Sequence, residues 1–320
     1  RHKAVLLPVL ARLFSAIGAQ HAVPAGFLDG NIAAIRKPSG DPTLAASYRP
    51  ITLLNTDYRL LARVLADRLQ PALQSSVSPC QTAFLRGRRS GGNILTLQLL
   101  CDGLQRDSTL VAALLDFNKA YDTIDRGFLL AVLDQMGVGQ QFVAWVELLL
   151  INTRARVVMN GFASAPRVFV AGVRQGCPLS PLLYLCVAEA LVRYLRHKGI
   201  GAEVCGGRLC ATQFADDTQV FLDSYDDVPA FLQVMGRFAQ ASGQVLNAAK
   251  TKILLVGPAA RARLADYQRD RQPHQPQVVA EATVLGVPIG GAPGAGAAQG
   301  RGHSAAFQQR YPGVLRALTR

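Results

Sequence analysis

The sequence predicts a mixed α+β fold, and three observations support this class. Half of the 320 residues are apolar, so the chain can bury a large core in one large domain or two smaller ones. Segments with helical apolar spacing and short β-rich runs follow each other along the chain without a repeating order. Two separate β-rich runs carry aspartates at or next to one end, which can bring carboxylates to one edge of a sheet.

The first part of the chain contains three predicted helices and one short strand. Residues Ala4–Ile17 have helical apolar spacing, and a strand at Asn31–Ile35 leads into a basic polar loop. The segment "NTDYRLLARVLADRLQPALQ" places leucines on one face and arginines on the other, which predicts a long helix. A loop rich in Gly, Ser and Arg, "SPCQTAFLRGRRSGGN", then precedes a third helix at Ile94–Leu104.

The middle of the chain predicts a buried strand, a capped helix and a hairpin. "TLVAALLDF" is a continuous apolar run of strand length, and its last residue but one is Asp116. Asp125 is placed to cap a helix that runs to about Met136 and stops at Gly137. The "NG" pair in "ARVVMNGFASAPRVFVAGV" lies between β-rich runs, which is a strong short-range hairpin signal.

The last part predicts a helix at Leu182–Lys198, a strand pair that carries Asp216 and Asp217, and a helix at Val228–Ala241. The segment "GQVLNAAKTKILLVG" ends in a further predicted strand. The last thirty residues are rich in Gly and Ala and are expected to be flexible until a short final helix.

Composition favours a nucleic-acid partner. Lys and Arg total 34 against 21 for Asp and Glu, a formal net charge of +13, which suits a polyanion. The six cysteines form no CxxC pair, so reduced thiols in an intracellular protein are expected rather than disulfides or a zinc site. We expect no membrane association, because the apolar runs fall short of the roughly 20 residues that a span needs and no secretory signal is visible. The chain begins without Met inside an apparent helix, which indicates a fragment.

The adjacent carboxylates of Asp216 and Asp217 have two interpretations. They can form a solvated hairpin tip, where Asp is an ordinary turn residue, or they can be neutralised by a divalent cation. The second interpretation gains from Asp116 on another predicted strand, since two-metal phosphoryl transfer uses carboxylates that hold cations roughly 3.5–4 Å apart.

Seven blocks then give the sequence its resemblance to a known family. In chain order they are "IRKPSGDP" with "YRPITLLN", "QTAFLRGRRSGGNI", "LLDFNKAYDTID", "GVRQGCPLSPLLY", "FADD", "SGQVLNAAKTKIL" and "VLGVPIG". Together they resemble the reverse transcriptases, most closely those of retrotransposons lacking long terminal repeats (LINE-type), over roughly residues 27–290.

The resemblance implies a right-hand polymerase fold of fingers and palm, with an antiparallel palm sheet flanked by helices. It divides the chain into an N-terminal helical extension (1–26), fingers and palm (27–290), and a partial, Gly-rich thumb or linker (291–320). The implied activity is that of an RNA-directed DNA polymerase, part of a retrotransposon polyprotein, with an RNA template, a DNA primer and dNTPs as partners. The resemblance also implies nuclear localisation, and it indicates no protein partner.

The resemblance assigns the reacting centre to five residues. Asp116, Asp216 and Asp217 match the metal-binding carboxylates, with Asp217 the more replaceable, and the backbone carbonyl of Phe117 is a further ligand. The implied cofactor is a pair of Mg²⁺ ions, with Mn²⁺ as a substitute. Lys250 matches the lysine proposed as general acid for the pyrophosphate leaving group, and Lys252, two residues on, is the alternative.

Five more residues are predicted to bind the incoming dNTP. Lys37 and Arg49 match fingers residues that hold the triphosphate, where Arg offers a bidentate fork and Lys a point charge. Tyr121 matches the aromatic residue under the sugar that excludes a 2′-hydroxyl, although an ordinary core tyrosine is the alternative. Gln175 is expected to lie against the nucleotide and template, with Gly176 allowing close backbone approach.

The template and primer contacts predicted from the resemblance are basic residues and a turn. Arg86, Arg88 and Arg89 are expected to touch the template backbone without reading its sequence. Leu285 and Gly286 match the turn that grips the primer.

Two departures from the family pattern and two alternatives belong with this prediction. Phe214 stands where the family usually has Tyr, and Ala83 where it usually has Gly. We interpret Asp122 and Asp125 as capping or surface residues. The alternatives are an inactive fragment that only binds RNA and DNA, and a reverse transcriptase of the group II intron type.

Overall fold

The computed structural model of the chain describes residues 2–38 and 40–290. They form two compact units. Unit 1 comprises the described residues up to Ser76 and Lys119–Val187, and unit 2 comprises Val77–Asn118 and the described residues from Ala188 onward. The predicted thumb or linker at residues 291–320 lies outside the described residues.

The helices and strands are numbered in chain order. The helices are α1 (Lys3–Gln20), α2 (Thr56–Ser76), α3 (Gly91–Gly103), α4 (Arg126–Gln135), α5 (Gln140–Leu150), α6 (Ser180–His197), α7 (Val228–Ser242), α8 (Pro258–Ala262) and α9 (Leu264–Asp270). The strands are β1 (Asp29–Arg36), β2 (Tyr48–Leu54), β3 (Val111–Leu115), β4 (Arg154–Met159), β5 (Phe162–Ala163), β6 (Arg167–Val168), β7 (Ala202–Val204), β8 (Gly207–Leu209), β9 (Ala211–Phe214), β10 (Asp217–Leu222), β11 (Lys252–Leu255), β12 (Gln277–Val279), β13 (Glu281–Val284) and β14 (Val287–Gly290).

Unit 1 is built on a sheet of order β2-β1-β4-β5, in which β6 also pairs with β4. Strands β1 and β2 are antiparallel, whereas β1 and β4 are parallel. The β4–β5 connection is the predicted "NG" hairpin: Asn160 and Gly161 have φ values of 51° and 82°, as a type I′ turn requires. The hairpin prediction is therefore confirmed.

Helix α4 begins and ends where its sequence predicts. The Asp125 side chain accepts the Phe128 N–H at 2.7 Å and so caps the helix. Gly137, at φ 71°, follows the C-cap residue Met136 and supplies the left-handed conformation that ends many helices. The interpretation of Asp125 as a capping residue is confirmed.

Helix α1 does not fit the expectation that every apolar run is too short to span a membrane. In the described part of the chain it alone is long and apolar enough to cross a membrane, judged by length and composition only. It has 18 residues, of which only Ile17 is buried. A signal sequence and the core helix of a soluble protein meet the same criteria of length and composition.

Unit 2 is built on a sheet of order β12-β11-β3-β10-β9. Strand β3 pairs antiparallel with both β10 and β11, and all but one of its five residues are buried. Its core includes Leu97, Leu110, Phe221 and Leu254. The central position of β3 explains its continuous apolar sequence, because both of its faces are covered.

The sequence prediction missed several shorter or uniformly apolar elements. Helix α5, "QQFVAWVELLL", has few polar residues at helical spacing, so no exposed face is visible in its sequence. Helices α8 and α9 and strands β12, β13 and β14 span three to seven residues each, which is too short for a periodic pattern to stand out. The six cysteines are free thiols, as expected.

Candidate active site

Three aspartates lie at one end of the unit 2 sheet. Strand β3 ends at Leu115, which pairs with Thr218 of β10. Asp116 follows Leu115 directly, and Asp217 directly precedes Thr218. If the antiparallel register continues by one residue, Asp116 stands opposite Asp217, and residues that pair in this way have Cα atoms about 5 Å apart. Asp216 occupies the two-residue turn that joins β9 to β10, where Phe214 pairs with Asp217. Their assignment as metal ligands stays a prediction.

The surroundings of this turn disfavour charge on its carboxylates. Burial raises the pKa of Asp216 above its ordinary value, and the charge of Asp116 raises it further. Burial also raises the pKa of Asp217, with the charges of Asp216 and Asp116 adding to it. Because like charges oppose ionisation, a cation near these oxygens would favour the charged forms. Within residues 2–38 and 40–290, however, no group of three His, Cys, Asp or Glu side chains is placed so that it could hold a metal ion.

The backbone carbonyl of Phe117 has a direction that suits its predicted role. The Asp116 carbonyl accepts the Asn247 N–H at 2.8 Å, and the Asn118 N–H donates to the Val245 carbonyl at 2.9 Å. Successive residues of an extended strand direct their backbone groups to alternate sides. The Phe117 carbonyl therefore points away from Val245–Asn247, toward the side on which β10 lies.

Lys250 lies in a loop that is attached to Asp116. The Asp116 N–H donates to Thr251 Oγ1 at 3.2 Å, and the Asn247 N–H donates to the Asp116 carbonyl at 2.8 Å. Thr251 is fully buried, whereas Lys250 is exposed. Sequence reasoning missed Thr251 and Asn247, whose contacts with Asp116 bridge more than a hundred positions.

Lys37 and Arg49 lie on one face of the paired strands β1 and β2. Arg49 pairs with Ile35, and the Lys37 N–H extends this pairing by donating to the Ser47 carbonyl at 2.8 Å. Alternate residues of a strand share a face, so Lys37 lies on the same side as Ile35 and Arg49. The Lys37 ammonium donates to the Ala46 carbonyl at 2.9 Å, and Arg49 is exposed.

The ring of Tyr121 is stacked on Tyr184. The ring centroids lie 4.7 Å apart with an interplanar angle of 19°. Tyr184 belongs to α6 and is 3% exposed, and the Tyr121 carbonyl accepts the Val173 N–H at 2.8 Å. The stack fixes the plane of the Tyr121 ring, and sequence reasoning gave no indication of Tyr184.

Gln175 and Gly176 approach the backbone of β2. The Thr52 N–H donates to the Gln175 carbonyl at 2.8 Å. Gly176 has φ 105°, and a Cβ at this position would lie 2.5 Å from the Thr52 carbonyl oxygen. The Gln175 amide nitrogen donates to Asp122 Oδ1 at 3.3 Å. Burial raises the pKa of Asp122, so this residue is a half-buried partner of Gln175 rather than a cap.

Among the three predicted template arginines, Arg88 is bound to the backbone of its own loop. Its guanidinium donates to the backbone carbonyls of Val77, Ser78 and Gln81 at 2.9, 2.6 and 2.7 Å. Burial lowers the pKa of Arg88. This guanidinium therefore holds the loop together, whereas Arg89 is exposed. The template contacts of these arginines stay predictions.

Leu285 and Gly286 form the turn between β13 and β14. Their φ values are 49° and 82°, and the flanking residues Val284 and Val287 pair. A two-residue turn with both residues in the left-handed region is a type I′ hairpin. The turn itself is present, and its contact with a primer stays a prediction.

A comparison with protein families decides what kind of domain this is. The family model described as reverse transcriptase (RNA-dependent DNA polymerase) matches residues 35–289. The chain belongs to the reverse transcriptase family. The match includes all three aspartates and every predicted nucleotide contact.

Relatives from retrotransposons confirm the LINE-type resemblance. The chain is 31% identical over 221 residues to the transposon TX1 uncharacterized 149 kDa protein of Xenopus laevis, covering 68% of this chain and 17% of that protein. It is 27% identical over 215 residues to the Pol polyprotein of the R2 retrotransposable element of Popillia japonica, covering 66% of this chain and 30% of that protein. The chain therefore spans less than a third of the length of these relatives.

A solved structure confirms the fold class. The apo telomerase of Candida tropicalis, truncated from its C-terminal domain, matches with a TM-score of 0.54 and 16% identity, covering 88% of this chain and 58% of that one. At this identity the likeness shows the fold alone. The predicted right-hand polymerase fold, with helices beside a largely antiparallel sheet, is confirmed.

Proposed function

We propose that this reverse transcriptase domain is an RNA-directed DNA polymerase that adds dNTPs to a primer 3′-hydroxyl by two-metal phosphoryl transfer. The observation that carries the proposal is the position of Asp116, Asp216 and Asp217 at one end of the adjacent strands β3 and β10. Nothing in the apolar sequence of these strands requires acidic residues there, and burial opposes the charge of Asp216 and Asp217 by raising the pKa of each.

The donor groups at this end of the sheet are oxygens, the type of ligand that Mg²⁺ prefers. Asp116 and Asp216 would hold the ions, with Asp217 and the Phe117 carbonyl as further ligands. Two bound Mg²⁺ ions, or Mn²⁺ in their place, supply activation of the attacking hydroxyl and stabilisation of the leaving pyrophosphate. The carboxylates themselves contribute fixed negative charge, which the attachment of Asp116 to Asn247 and Thr251 keeps in position.

Other residues of the chain have separate tasks in this proposal. Lys37 and Arg49 bind the triphosphate through a point charge and a bidentate fork on one sheet face. The Tyr121 ring, held by its stack on Tyr184, lies beneath the sugar and excludes a 2′-hydroxyl. Lys250 donates a proton to the leaving pyrophosphate oxygen.

The RNA template and DNA primer are bound mainly through their phosphates. The net charge of +13 supports this part of the proposal, since phosphate contacts supply sequence-independent affinity. Arg89 is an exposed cation that can take part, and Leu285 and Gly286 are assigned to the primer.

The test is primer extension on a poly(rA) template with an oligo(dT) primer, with and without Mg²⁺. Asp216→Asn keeps the shape of the side chain and removes its charge. We expect extension to fall by about a thousandfold or more while affinity for the primer–template duplex, measured on the same preparation, stays within a few-fold. Asp107→Asn, an exposed aspartate in unit 2, is the matched control and should extend normally.

The net charge of +13 also favours a second candidate, a chain that only binds RNA and DNA. If the unchanged chain binds the duplex but extends nothing, even with flanking sequence of the parent polyprotein restored, the binding function replaces the polymerase proposal. Equal extension by Asp216→Asn and the unchanged chain would also contradict the proposed site.

A further inference from the structure

Gln81 is a fully buried side chain whose amide contacts the turn that carries Asp216. Its Oε1 accepts the N–H groups of Ala215 and Ala83, each at 3.0 Å. Its Nε2 donates to the Ala215 carbonyl at 3.3 Å and to Gln213 Oε1 at 3.4 Å. One side chain thus holds both backbone polar groups of the residue that precedes Asp216.

Backbone pairing explains why Gln81 reaches this turn. Gln81 forms a parallel bridge with Gln213 of β9. The Gln213 N–H donates to the Cys80 carbonyl at 2.7 Å, and the Thr82 N–H donates to the Gln213 carbonyl at 2.8 Å. Cys80–Thr82 therefore runs beside the end of β9, and the Gln81 side chain extends past Gln213 to Ala215.

The turn needs such support because Ala215 has φ 56°. A residue other than Gly in this left-handed region is disfavoured, since its Cβ crowds the following carbonyl. Ala215 is buried, so its N–H and C=O would be costly to leave without partners. The Gln81 amide supplies both partners at once.

We propose that Gln81 is a positioning residue that fixes the Ala215–Asp216 turn and thereby sets where the Asp216 and Asp217 carboxylates stand. The expected effect on metal binding rests on the proposed function. The support that Gln81 gives to the turn does not. The chemistry requires an amide: a carboxylate at this position could accept the two N–H bonds but could not donate to the Ala215 carbonyl or to Gln213.

Two variants test this role. Gln81→Glu keeps the size and removes the donors, whereas Gln81→Asn keeps the amide, shortens its reach and introduces no buried charge. Gln219→Glu is the matched control, because Gln219 is also a buried glutamine of the same sheet. Its Oε1 accepts the Thr212 hydroxyl at 2.6 Å, a contact within the paired strands β9 and β10 and outside the turn. Hydrogen exchange of the peptide that covers Ala215 and binding of Mn²⁺ alone, followed by its electron paramagnetic resonance signal, are measured in the full chain.

We expect Gln81→Asn to lose about tenfold or more of the exchange protection at Ala215, since its shorter side chain weakens both hydrogen bonds to this residue. Gln81→Glu keeps an acceptor for the Ala215 N–H and loses the donor to the Ala215 carbonyl, so its defect should appear in metal binding and primer extension. Mn²⁺ affinity should fall by about tenfold, and primer extension should fall at least as far with duplex affinity unchanged. Gln219→Glu should keep the protection at Ala215 and the Mn²⁺ affinity, even if its global unfolding midpoint drops.

The outcomes separate this proposal from the proposed function. Normal exchange at Ala215 in Gln81→Asn, or equal losses in Gln219→Glu, would overturn the positioning role. If the unchanged chain binds no Mn²⁺ and extends no primer, the polymerase proposal fails, and the exchange data still decide whether Gln81 holds the turn.

Discussion

Gly176→Ala is the substitution for which the structure gives the sharpest expectation. Gly176 lies where the loop before α6 meets β2, at φ 105° and with the Thr52 carbonyl oxygen 2.5 Å from where a Cβ would be. The neighbouring Gln175 carbonyl accepts the Thr52 N–H at 2.8 Å, so the loop cannot retreat from β2 without losing that hydrogen bond.

Two terms contribute to the expected loss of unfolding free energy. An alanine in a left-handed conformation costs about 1–2 kcal/mol. Forcing an extra carbon against a packed backbone atom costs about 1–3 kcal/mol. The sum, about 2–5 kcal/mol, is a large share of the about 5–15 kcal/mol that stabilises an ordinary domain.

Urea unfolding followed by Trp145 fluorescence measures this loss in unit 1, the compact unit that contains Gly176. Trp145 is the chain's single tryptophan and packs on Gly18 within unit 1. Gly161→Ala is the matched control, because Gly161 lies in the same unit at φ 82° and a Cβ there would meet nothing within 4 Å. The control should lose only the conformational term, about 1–2 kcal/mol.

The difference between the two variants isolates the close approach to Thr52. If Gly176→Ala loses no more stability than Gly161→Ala, a small backbone shift absorbs the extra carbon. The close approach to Thr52 would then not be the reason for glycine at this position.

Three further predictions address sugar selection, loop structure and pH. Tyr121→Val should raise the ratio of ribonucleotide to deoxyribonucleotide incorporation in a primer-extension competition, because it removes a steric block; an unchanged ratio in an active variant contradicts the role. Arg88→Ala should lower the free energy of unfolding by about 2–4 kcal/mol, measured by circular dichroism in urea, since it leaves three carbonyls without their charged donor; Arg89→Ala is the exposed control, and equal losses would refute the structural assignment of Arg88. Because folding raises the pKa of Asp216, the folded state binds this proton more tightly than the unfolded chain, and stability falls as pH rises from the ordinary pKa through the raised one. Without divalent metal, Asp216→Asn should therefore be more stable than the unchanged chain at neutral pH and should lose this advantage in acid; an advantage that grows on acidification would contradict the shift.

Much of the local structure could be predicted because its causes lie within a few residues. The Asp125 side chain caps a helix through an N–H three positions away, and the Asn160–Gly161 turn is specified by two residues that tolerate positive φ. Strand β3 is recognisable because a central strand covered on both faces is apolar throughout. The order of these elements also carried the family resemblance, and with it the expected fold.

The contacts around the candidate site could not be predicted, because residue type does not specify a distant partner. Arg88 and Arg89 are adjacent and chemically identical, yet only the packing of the loop turns the Arg88 guanidinium onto three carbonyls. The stack of Tyr121 on Tyr184 likewise depends on where α6 passes.

By itself the sequence determined most of the longer elements, their order and the carboxylates available for chemistry. The tertiary structure alone decided that Asp116 and Asp217 come to the same end of the paired strands β3 and β10 and that Gln81 holds Ala215 across a separation of 134 positions. The physical reason is that sheet register and buried hydrogen bonds are set by the pairing of distant strands, whose backbone polar groups find their partners only when the sheet is assembled.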